Sequence, residues 1–465
     1  MTRKTRYGIL FRMRNNSAGN DAGGLSIGRR RFIGRTAAAG LAAALGDWRR
    51  AFAAGTGDDG VGRPWKGWTR GELQAHFIYT GRAESTFLIF PDGTTMLVDS
   101  GDYDVPQRAI MQTPVLPDRS RGSGEWIARY VKRANPFGNK VDYMMLTHWH
   151  ADHAGCETSY SRREERDGED WFVSGFAETC DFIDFGKAFD RCWPDLNDPF
   201  PLRDRSCREV SQISRMYRYL ERHKGLKVEK FRVGARDQVV QLKDPGAFPD
   251  FQVLNICGNG KILMRDGSIR NLYEGIFTPS HATGWRNENG MSCGMILSYG
   301  AFRLYMAGDF QDFWKRADGS RFEVEDALGE QLDQVDVAKV NHHGSASMTE
   351  TLVRALAARV WVSCIFAKHC NDLGTLRRLS SRKLYPGERV ICPTAFPAER
   401  MAAANVEGIN DVVAESLDCG HIVLNVPPGG RDYTVSYLTA RDESMTVRST
   451  MRFKSHGCAA GSRRA

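Results

Sequence analysis

Three histidines and one aspartate fall within six positions of the stretch T-H-W-H-A-D-H at 147–153, directly after a predicted buried strand. On a strand-to-helix turn, His148 and His150 can turn two imidazoles toward one ion. The following step, Asp152-His153, can turn two further ligands toward a second ion. Imidazole nitrogens and carboxylate oxygens bind borderline divalent ions such as zinc. The spacing therefore predicts a metal site, and a surface histidine cluster without metal is the less favoured alternative.

Two later segments place similar residues at the ends of predicted strands. Gly308-Asp309 ends an apolar strand, where a glycine lets the carboxylate come close to a ligand. His342 and His343 follow the apolar stretch Val335–Val340. Alone, a Gly-Asp step indicates a turn, and a histidine pair is often structural. These two segments therefore indicate a metal site only in combination with the stretch 147–153.

In this order, the three segments resemble the metallo-β-lactamase superfamily, whose His-x-His-x-Asp-His signature is matched without a gap. The chain more closely resembles the hydrolase domain of ComEC-type competence proteins and their stand-alone relatives, over roughly 73–440 apart from 157–226. The stretches that carry this closer resemblance are H-F-I-Y-T-G-R-A-E-S at 76–85, P-D-G at 91–93, L-V-D-S-G at 97–101, N-E-N-G-M-S at 287–292, Gly308-Asp309 and H-H-G-S at 342–345. The signature is specific for fold and metal and says little about substrate.

The resemblance implies an αββα sandwich with an inserted polar and helical segment, and a two-metal site at one sheet edge. The ligands it implies are His148 and His150 for the first ion, Asp152 and His153 for the second, Asp309 as a bridge, and His342 or His343 to complete the second. Two divalent ions ~3.5–4 Å apart would share a hydroxide and lower its pKa toward ~7. Zinc is expected, with Mn²⁺ as the alternative. Asp152 and Asp309 are the expected catalytic residues, and Asp152 would also orient the hydroxide.

One departure concerns the third histidine that many family members supply to the first ion. The corresponding region here offers Asn287 and Asn289, with His281 slightly upstream. An amide oxygen is a weak ligand for zinc, so this site would be looser or would hold a harder ion such as Mn²⁺. Asp99, at the end of another predicted strand, is expected to hydrogen-bond a ligand histidine or to serve as a turn residue.

The N-terminal residues 1–53 are predicted to form a secretory signal. Arg29-Arg30-Arg31 precedes Phe32-Ile33, followed by a mildly apolar stretch of Ala, Leu and Gly over 36–46 and by the small-x-small site Ala51-Phe52-Ala53. The arginine pair resembles that of twin-arginine (Tat) signals, which implies the Tat translocase as a partner during export. Because the apolar stretch is too short to span ~30 Å of hydrocarbon, we expect a periplasmic or secreted protein without a stable membrane anchor.

The net charge of +8 is confined to that N-terminal segment. Residues 1–53 carry eleven basic and two acidic residues, which leaves 53 basic against 54 acidic residues in the remainder. Binding to a large nucleic acid normally requires a basic surface, so nucleic acid is not the expected partner. A small-molecule or phosphoester substrate fits the charge better.

The composition, 42% hydrophobic and 26% charged, is that of a globular protein and excludes disorder. We predict a hydrolase domain over 70–440, an insertion at about 157–226 and a basic tail over 441–465. The expected function is an exported metal-dependent hydrolase that uses a metal-bound hydroxide on a phosphodiester or a small ester or lactone. The alternatives are a non-catalytic metal-binding or scaffolding protein that retains the fold, and an envelope nuclease acting in DNA processing.

Overall fold

The computed structural model describes residues 60–104, 112–157, 161–198, 206–273, 286–311, 313–315, 321–414 and 419–458. All of them lie in the larger of two compact units, Gly55–Ala465. The predicted export signal at 1–53 lies outside the described residues. No helix within the described ranges is both long and apolar enough to cross a bilayer.

Two large β-sheets form the centre of the described part of the chain. In the described residues, the first sheet contains β1 (Leu73–Phe77), β2 (Thr86–Ile89), β3 (Thr95–Val98), β4 (Lys140–Met145), β7 (Asp184–Asp190), β8 (Lys227–Lys230), β19 (Gly420–Val426), β20 (Asp432–Thr439) and β21 (Val447–Lys454). Their order is β21-β20-β19-β1-β2-β3-β4-β7-β8. The half from β21 to β3 is antiparallel, and β3, β4, β7 and β8 run parallel.

The second sheet has the same division into an antiparallel and a parallel half. Its described strands are β9 (Phe251–Gly258), β10 (Lys261–Leu263), β11 (Ile269–Asn271), β12 (Gly294–Tyr299), β13 (Phe302–Ala307), β16 (Val337–Lys339), β17 (Val360–Ser363) and β18 (Val390–Pro393). They follow the order β11-β10-β9-β12-β13-β16-β17-β18, with the last four strands parallel. Among the described residues, two short hairpins lie outside the large sheets: β5 (Arg162–Arg166) with β6 (Glu169–Val173), and β14 (Phe313–Lys315) with β15 (Arg321–Glu323).

Helices cover the outer faces of the two sheets. The described ones are α1 (Ser123–Ala134), α2 (Ala151–Ala154), α3 (Phe176–Thr179), α4 (Ser206–Lys224), α5 (Arg286–Gly290), α6 (Val324–Gly329), α7 (Glu350–Leu356), α8 (Leu373–Ser380) and α9 (Ala398–Val406). Ile127 and Val131 of α1 pack on Leu97 of the first sheet, in a cluster that also includes side chains of α4. A second cluster joins Leu352 of α7 to Trp361 of the second sheet.

Alternation along the strands shows that a further apolar layer lies between the sheets. On β13, Tyr305 and Ala307 belong to the helix-facing cluster, whereas Leu304 and Met306 are buried on the opposite face. Contacts such as Phe302 with Tyr433, whose ring centroids are 5.1 Å apart, join the two sheets across this layer. The order helix, sheet, sheet, helix confirms the predicted αββα fold class.

The predicted insertion at 157–226 is only partly separate from the sheets. Its hairpin β5–β6 stands apart, but β7 pairs in parallel with β4, and α4 supplies side chains to the outer core. The apolar residues of β7, Phe185, Ala188 and Phe189, are buried as expected for a strand inside a parallel sheet.

The stretch V-V-Q-L at 239–242 has the apolar pattern of a strand, but it forms no ladder. Side chains of Thr94, directly before β3, and of Tyr143 in β4 bond its backbone instead: Leu242 N donates to Thr94 Oγ1 at 2.7 Å, and Tyr143 Oη donates to Val240 O at 3.2 Å. Side-chain hydroxyl groups thus provide the hydrogen bonds that the backbone of this segment would otherwise form in a ladder.

The boundary expected near 440 also differs, because the first sheet continues beyond it. β21 pairs with β20 over Val447–Lys454, inside the region predicted as a basic tail. Val447 and Phe453 are buried, and Phe453 stacks on Tyr433 with ring centroids 5.1 Å apart. The sequence R-S-T-M-R-F-K carries many polar and basic residues, so its hydrophobic pattern is weak despite the burial of these two side chains.

A substitution in β21 tests its contribution to stability. We expect Phe453→Ala to lower the free energy of unfolding by about 3–5 kcal/mol, because it removes a buried aromatic side chain and leaves a cavity. Lys454→Ala, at the adjacent exposed position, should change it by less than about 0.5 kcal/mol. Urea denaturation measures both, and equal small effects would contradict a core role for this strand.

Candidate metal centre

Four strands bring the predicted site residues to one edge of the sandwich. In the first sheet, β3 and β4 run parallel, and the residues after them are Asp99 and the stretch 147–153. In the second sheet, β13 and β16 run parallel and are followed by Asp309 and by the 3-10 turn Asn341–Gly344. The carboxyl ends of parallel strands form such a crevice in open α/β sheets.

His148 and His150 form the first pair of ligand-type nitrogens. His148 Nε2 lies 3.2 Å from His150 Nδ1, so both nitrogens can face one ion. Burial, followed by the neighbouring imidazoles of His153 and His150, lowers the pKa of His148 well below its usual value. The ring is therefore neutral, which is the form that binds metal.

Four further donor atoms meet beside this pair. His153 Nε2 lies 2.9 Å from Asp309 Oδ2, and His343 Nε2 lies 3.1 Å from the same oxygen. Asp152 Oδ2 is 3.0 Å from His343 Nε2 and 3.8 Å from His153 Nε2. Asp309 from the second sheet is thus placed between two imidazoles that come from different sheets.

Hydrogen bonds at the rear of both rings direct their Nε2 atoms into this cluster. His343 Nδ1 donates to the carbonyl oxygen of Cys364 at 2.8 Å. His153 Nδ1 donates to Asp99 Oδ2 at 2.7 Å, and Asp99 also accepts hydrogen bonds from the backbone and the hydroxyl of Thr147. The expected hydrogen bond between Asp99 and a candidate ligand histidine is present. With Nδ1 donating, each neutral ring turns a lone pair toward carboxylate oxygens, an arrangement that needs a cation or a proton between them.

The carboxylates and imidazoles of this cluster stabilise each other's charged forms. Burial would lower the pKa of His153 and His343, but nearby carboxylates, Asp309 first, outweigh it and hold both well above the usual value. Burial would likewise raise the pKa of Asp309 and Asp152, yet the two imidazoles hold both well below the usual value. The carboxylates are therefore ionised and suited to bind a cation.

The two neighbouring histidines of the 3-10 turn have different positions. His343 lies in the cluster, whereas His342 Nδ1 contacts the backbone oxygen of Ser345. Both residues have left-handed backbone angles, with φ of 45° and 53°, and Gly344, Ala346 and Met348 after them also have positive φ. Non-glycine residues in this region cost about 1–3 kcal/mol each and are often found at functional sites.

A buried glutamate holds this strained segment in place. Glu325 of α6 accepts hydrogen bonds from Asn341 Nδ2 and from Thr349 N, both at 2.7 Å. On the other side, Arg378 donates to the backbone oxygens of Ser347 and Met348. These hydrogen bonds hold the backbone of the turn in its left-handed conformation. The surrounding fold therefore sets the position of His343.

The segment 286–290 contacts the first histidine pair through Trp149, which lies between the two histidines in sequence. Glu288 accepts from Trp149 N at 2.8 Å and forms an ion pair with Arg191, whose guanidinium lies 3.7 Å from the Trp149 ring centroid. Asn289 is buried, and its Oδ1 has no hydrogen-bond partner in the described part of the chain. The side chain of Asn287 and all of His281 lie outside the described residues.

Sequence reasoning gave no role to Glu84 and Lys339. One donor atom each from Glu84, His153, Asp309 and His343 lies within 4.8 Å of the others, so this buried group can hold a metal ion. The hydrogen-bond geometry favours Asp152 over Glu84 as the fourth ligand, because Glu84 is 2.7 Å from Lys339 Nζ and lies beside His343 Nδ1, away from Nε2. A lysine inside the apolar stretch V-D-V-A-K-V was the available signal, since a buried charge requires a partner.

Comparison with known proteins agrees with this geometry. Residues 79–156, which include Glu84, Asp99 and the whole stretch 147–153, match the model of the metallo-beta-lactamase superfamily. The comparison with curated proteins gave no match. Together with the αββα architecture and the buried cluster, the match supports a metallo-beta-lactamase superfamily domain, a class that binds divalent metal ions and is usually hydrolytic, although some members are non-catalytic.

The pH dependence of stability tests the role of Glu325 beside the strained turn. Burial raises the pKa of Glu325 to about 7. Because the unfolded carboxyl titrates near 4.5, the folded protein keeps a proton that the unfolded chain loses between these values. This group therefore makes the free energy of unfolding fall, by about 3 kcal/mol in all, as pH rises from about 4.5 to 7.

Glu325→Gln should remove that part of the slope, whereas Glu330→Gln, at an exposed position nearby, should keep it. Chemical denaturation at several pH values measures the difference between each variant and the wild type. A constant difference between Glu325→Gln and the wild type from pH 4 to 8 would contradict the assignment.

Proposed function

We propose that this protein is an exported metal-dependent hydrolase that cleaves a phosphodiester or a small ester or lactone. The proposal rests on the close contacts among the side chains of Asp152, His153, Asp309 and His343. Hydrogen bonds from the Nδ1 atoms fix the orientation of both histidine rings. Hydrogen-bonded imidazoles that face carboxylates in a buried crevice form a site organised for a cation.

The residues present fit two ions, one with four side-chain ligands and one with two. Asp152, His153, Asp309 and His343 would hold the second ion, and His148 with His150 would hold the first. Two orphaned buried oxygens support this reading, since Asp309 Oδ1 and Asn289 Oδ1 lack hydrogen-bond partners within the described ranges. The nitrogen and oxygen donor set suits Zn²⁺, with Mn²⁺ as the alternative. When bound, such ions polarise the substrate and lower the pKa of water toward neutrality.

Asp152 would orient the attacking water. Its side chain is 17% exposed, whereas those of His153, Asp309 and His343 are between 0 and 2% exposed. Because its pKa is held low, the carboxylate can accept a hydrogen bond from water at the open side of the cluster. Asp309, in the interior, would bridge the ions and fix their positions.

Substrate and location follow from the sequence arguments. Phosphodiester cleavage is preferred because of the resemblance to ComEC-type hydrolase domains. The near-neutral charge outside 1–53 favours a small substrate over duplex DNA. Export by the Tat translocase to the periplasm or the medium rests on the arginine motif at 29–31.

Paired histidine variants test the assignment of the second site. His343→Ala should lose the more tightly bound ion, because its Nε2 faces Asp152 and Asp309. His342→Ala is a matched control with the same backbone strain, and it should retain that ion. Elemental mass spectrometry of protein purified without added metal gives the content per chain, and loss in His342→Ala alone would contradict the assignment.

Activity is tested with bis(4-nitrophenyl) phosphate and an activated ester. We expect cleavage by the wild type and by Asp333→Ala, which removes an exposed aspartate, and at least a ~100-fold loss of kcat/KM in Asp309→Ala. Equal rates in wild type and Asp309→Ala would contradict the hydrolase proposal. A folded, metal-loaded and inactive wild type would favour the non-catalytic alternative, and cleavage of DNA alone would favour the nuclease.

A further inference from the structure

A buried lysine lies directly behind the candidate metal centre. Lys339, the last residue of β16, is 1% exposed. Its Nζ lies 2.7 Å from Glu84 Oε1, donates to Ala307 O at 2.7 Å, and is 3.9 Å from Asp309 Oδ1. Burial would lower the pKa of this ammonium group, but Glu84 and Asp309 outweigh it and raise the pKa above the usual value. The 2.7 Å contact with Glu84 is that of a buried ion pair between an ammonium group and a carboxylate.

Glu84 connects this charge to the other side of the cluster. Its Oε2 is 3.2 Å from His343 Nδ1, and its backbone nitrogen donates to Asp152 O at 2.9 Å. The ion pair therefore touches the loop before β2, the turn that carries Asp152, and the ring of His343. One end of it also approaches Asp309.

The ion pair of Lys339 with Glu84 neutralises one carboxylate in a site that is rich in carboxylates. Four carboxylates, those of Glu84, Asp99, Asp152 and Asp309, lie within 4 Å of a ring nitrogen of His153 or His343. Without a cation beside it, Glu84 would be one more anionic donor within 4.8 Å of the other ligand atoms. Such a carboxylate would compete with Asp152 for the ion and disturb the ligand set.

We propose that Lys339 is a positioning residue which, as a fixed ion pair with Glu84, keeps that carboxylate out of the metal ligand set and holds Asp309 with Oδ2 between His153 and His343. This inference rests on the proposed metal-binding function. Glu84 is then a counter-ion of the site, and Lys339 sets how much negative charge an incoming ion meets.

The charge-specific consequence is that the two single substitutions act in opposite directions. Lys339→Met removes a positive charge and frees Glu84, so the protein should bind Zn²⁺ at least ~10-fold more tightly. Glu84→Gln leaves the ammonium group uncompensated, so binding should weaken at least ~10-fold. The double variant should return to within ~3-fold of the wild type, because both charges are gone. A merely structural pair would weaken binding in both single variants.

Stability of the metal-free protein gives a second readout that needs no ion. Each single variant leaves a buried charge unpaired and should lower the Tm, whereas the double variant should recover most of the loss. If Lys339→Met does not fold and the double variant does, that rescue also supports the pair. Lys227→Met, an exposed position on β8, controls for a loss of surface charge and should change neither readout.

The decisive measurements are Zn²⁺ titration against a competing chelator and thermal unfolding after chelation. Weakened binding in both single variants, or a double variant no better than Lys339→Met, would overturn the proposal. A wild type that binds no ion would instead contradict the proposed function, while the Tm cycle would still decide whether Glu84 and Lys339 act as a pair.

Discussion

The contact on which the site depends is that of one carboxylate oxygen with two imidazoles. Asp309 Oδ2 lies within about 3 Å of both His153 Nε2 and His343 Nε2. His153 follows β4 in one sheet, and Asp309 and His343 follow β13 and β16 in the other. Like charges and lone pairs cannot meet at such distances without a cation or protons, so this edge of the sandwich is stable only when its charges are matched. The rear hydrogen bonds, the strained turn and the buried lysine all serve that requirement.

Close backbone approach makes the arrangement sensitive to small changes. A Cβ at Gly308 would lie 2.6 Å from Ser292 Oγ and 2.8 Å from Thr147 Oγ1. One at Gly101 would lie 1.8 Å from the backbone oxygen of Asp152. These glycines let the strand ends of both sheets come together, so that short side chains such as Asp309 reach the same point. The backbone itself therefore sets the distances between donor atoms.

The sequence predicted the fold class and the central motif because both depend on local patterns. The stretch 147–153 carries four ligand-type side chains on one turn, and apolar runs such as Met295–Tyr299 became buried strands. The weak alternation of β21 hid its place in the sheet, and no local pattern paired Glu84 with Lys339, which are 255 positions apart. The choice between His342 and His343 also needed the backbone, since two left-handed residues in succession turn only one ring into the cluster.

The charge of the pocket bears on how a substrate can bind. Without metal, Lys339 and the protonated rings of His153 and His343 balance three of the four negative charges of Glu84, Asp99, Asp152 and Asp309, which leaves a net charge of −1. An anionic phosphodiester would be repelled by this pocket, whereas two divalent ions that replace those two protons would change the balance to +1. Metal would thus be needed for binding an anionic substrate as well as for its cleavage. A neutral ester or lactone would not show this dependence in binding, because its affinity does not require the pocket to be positive. The way in which substrate affinity responds to metal removal therefore separates the two substrate classes that the sequence left open.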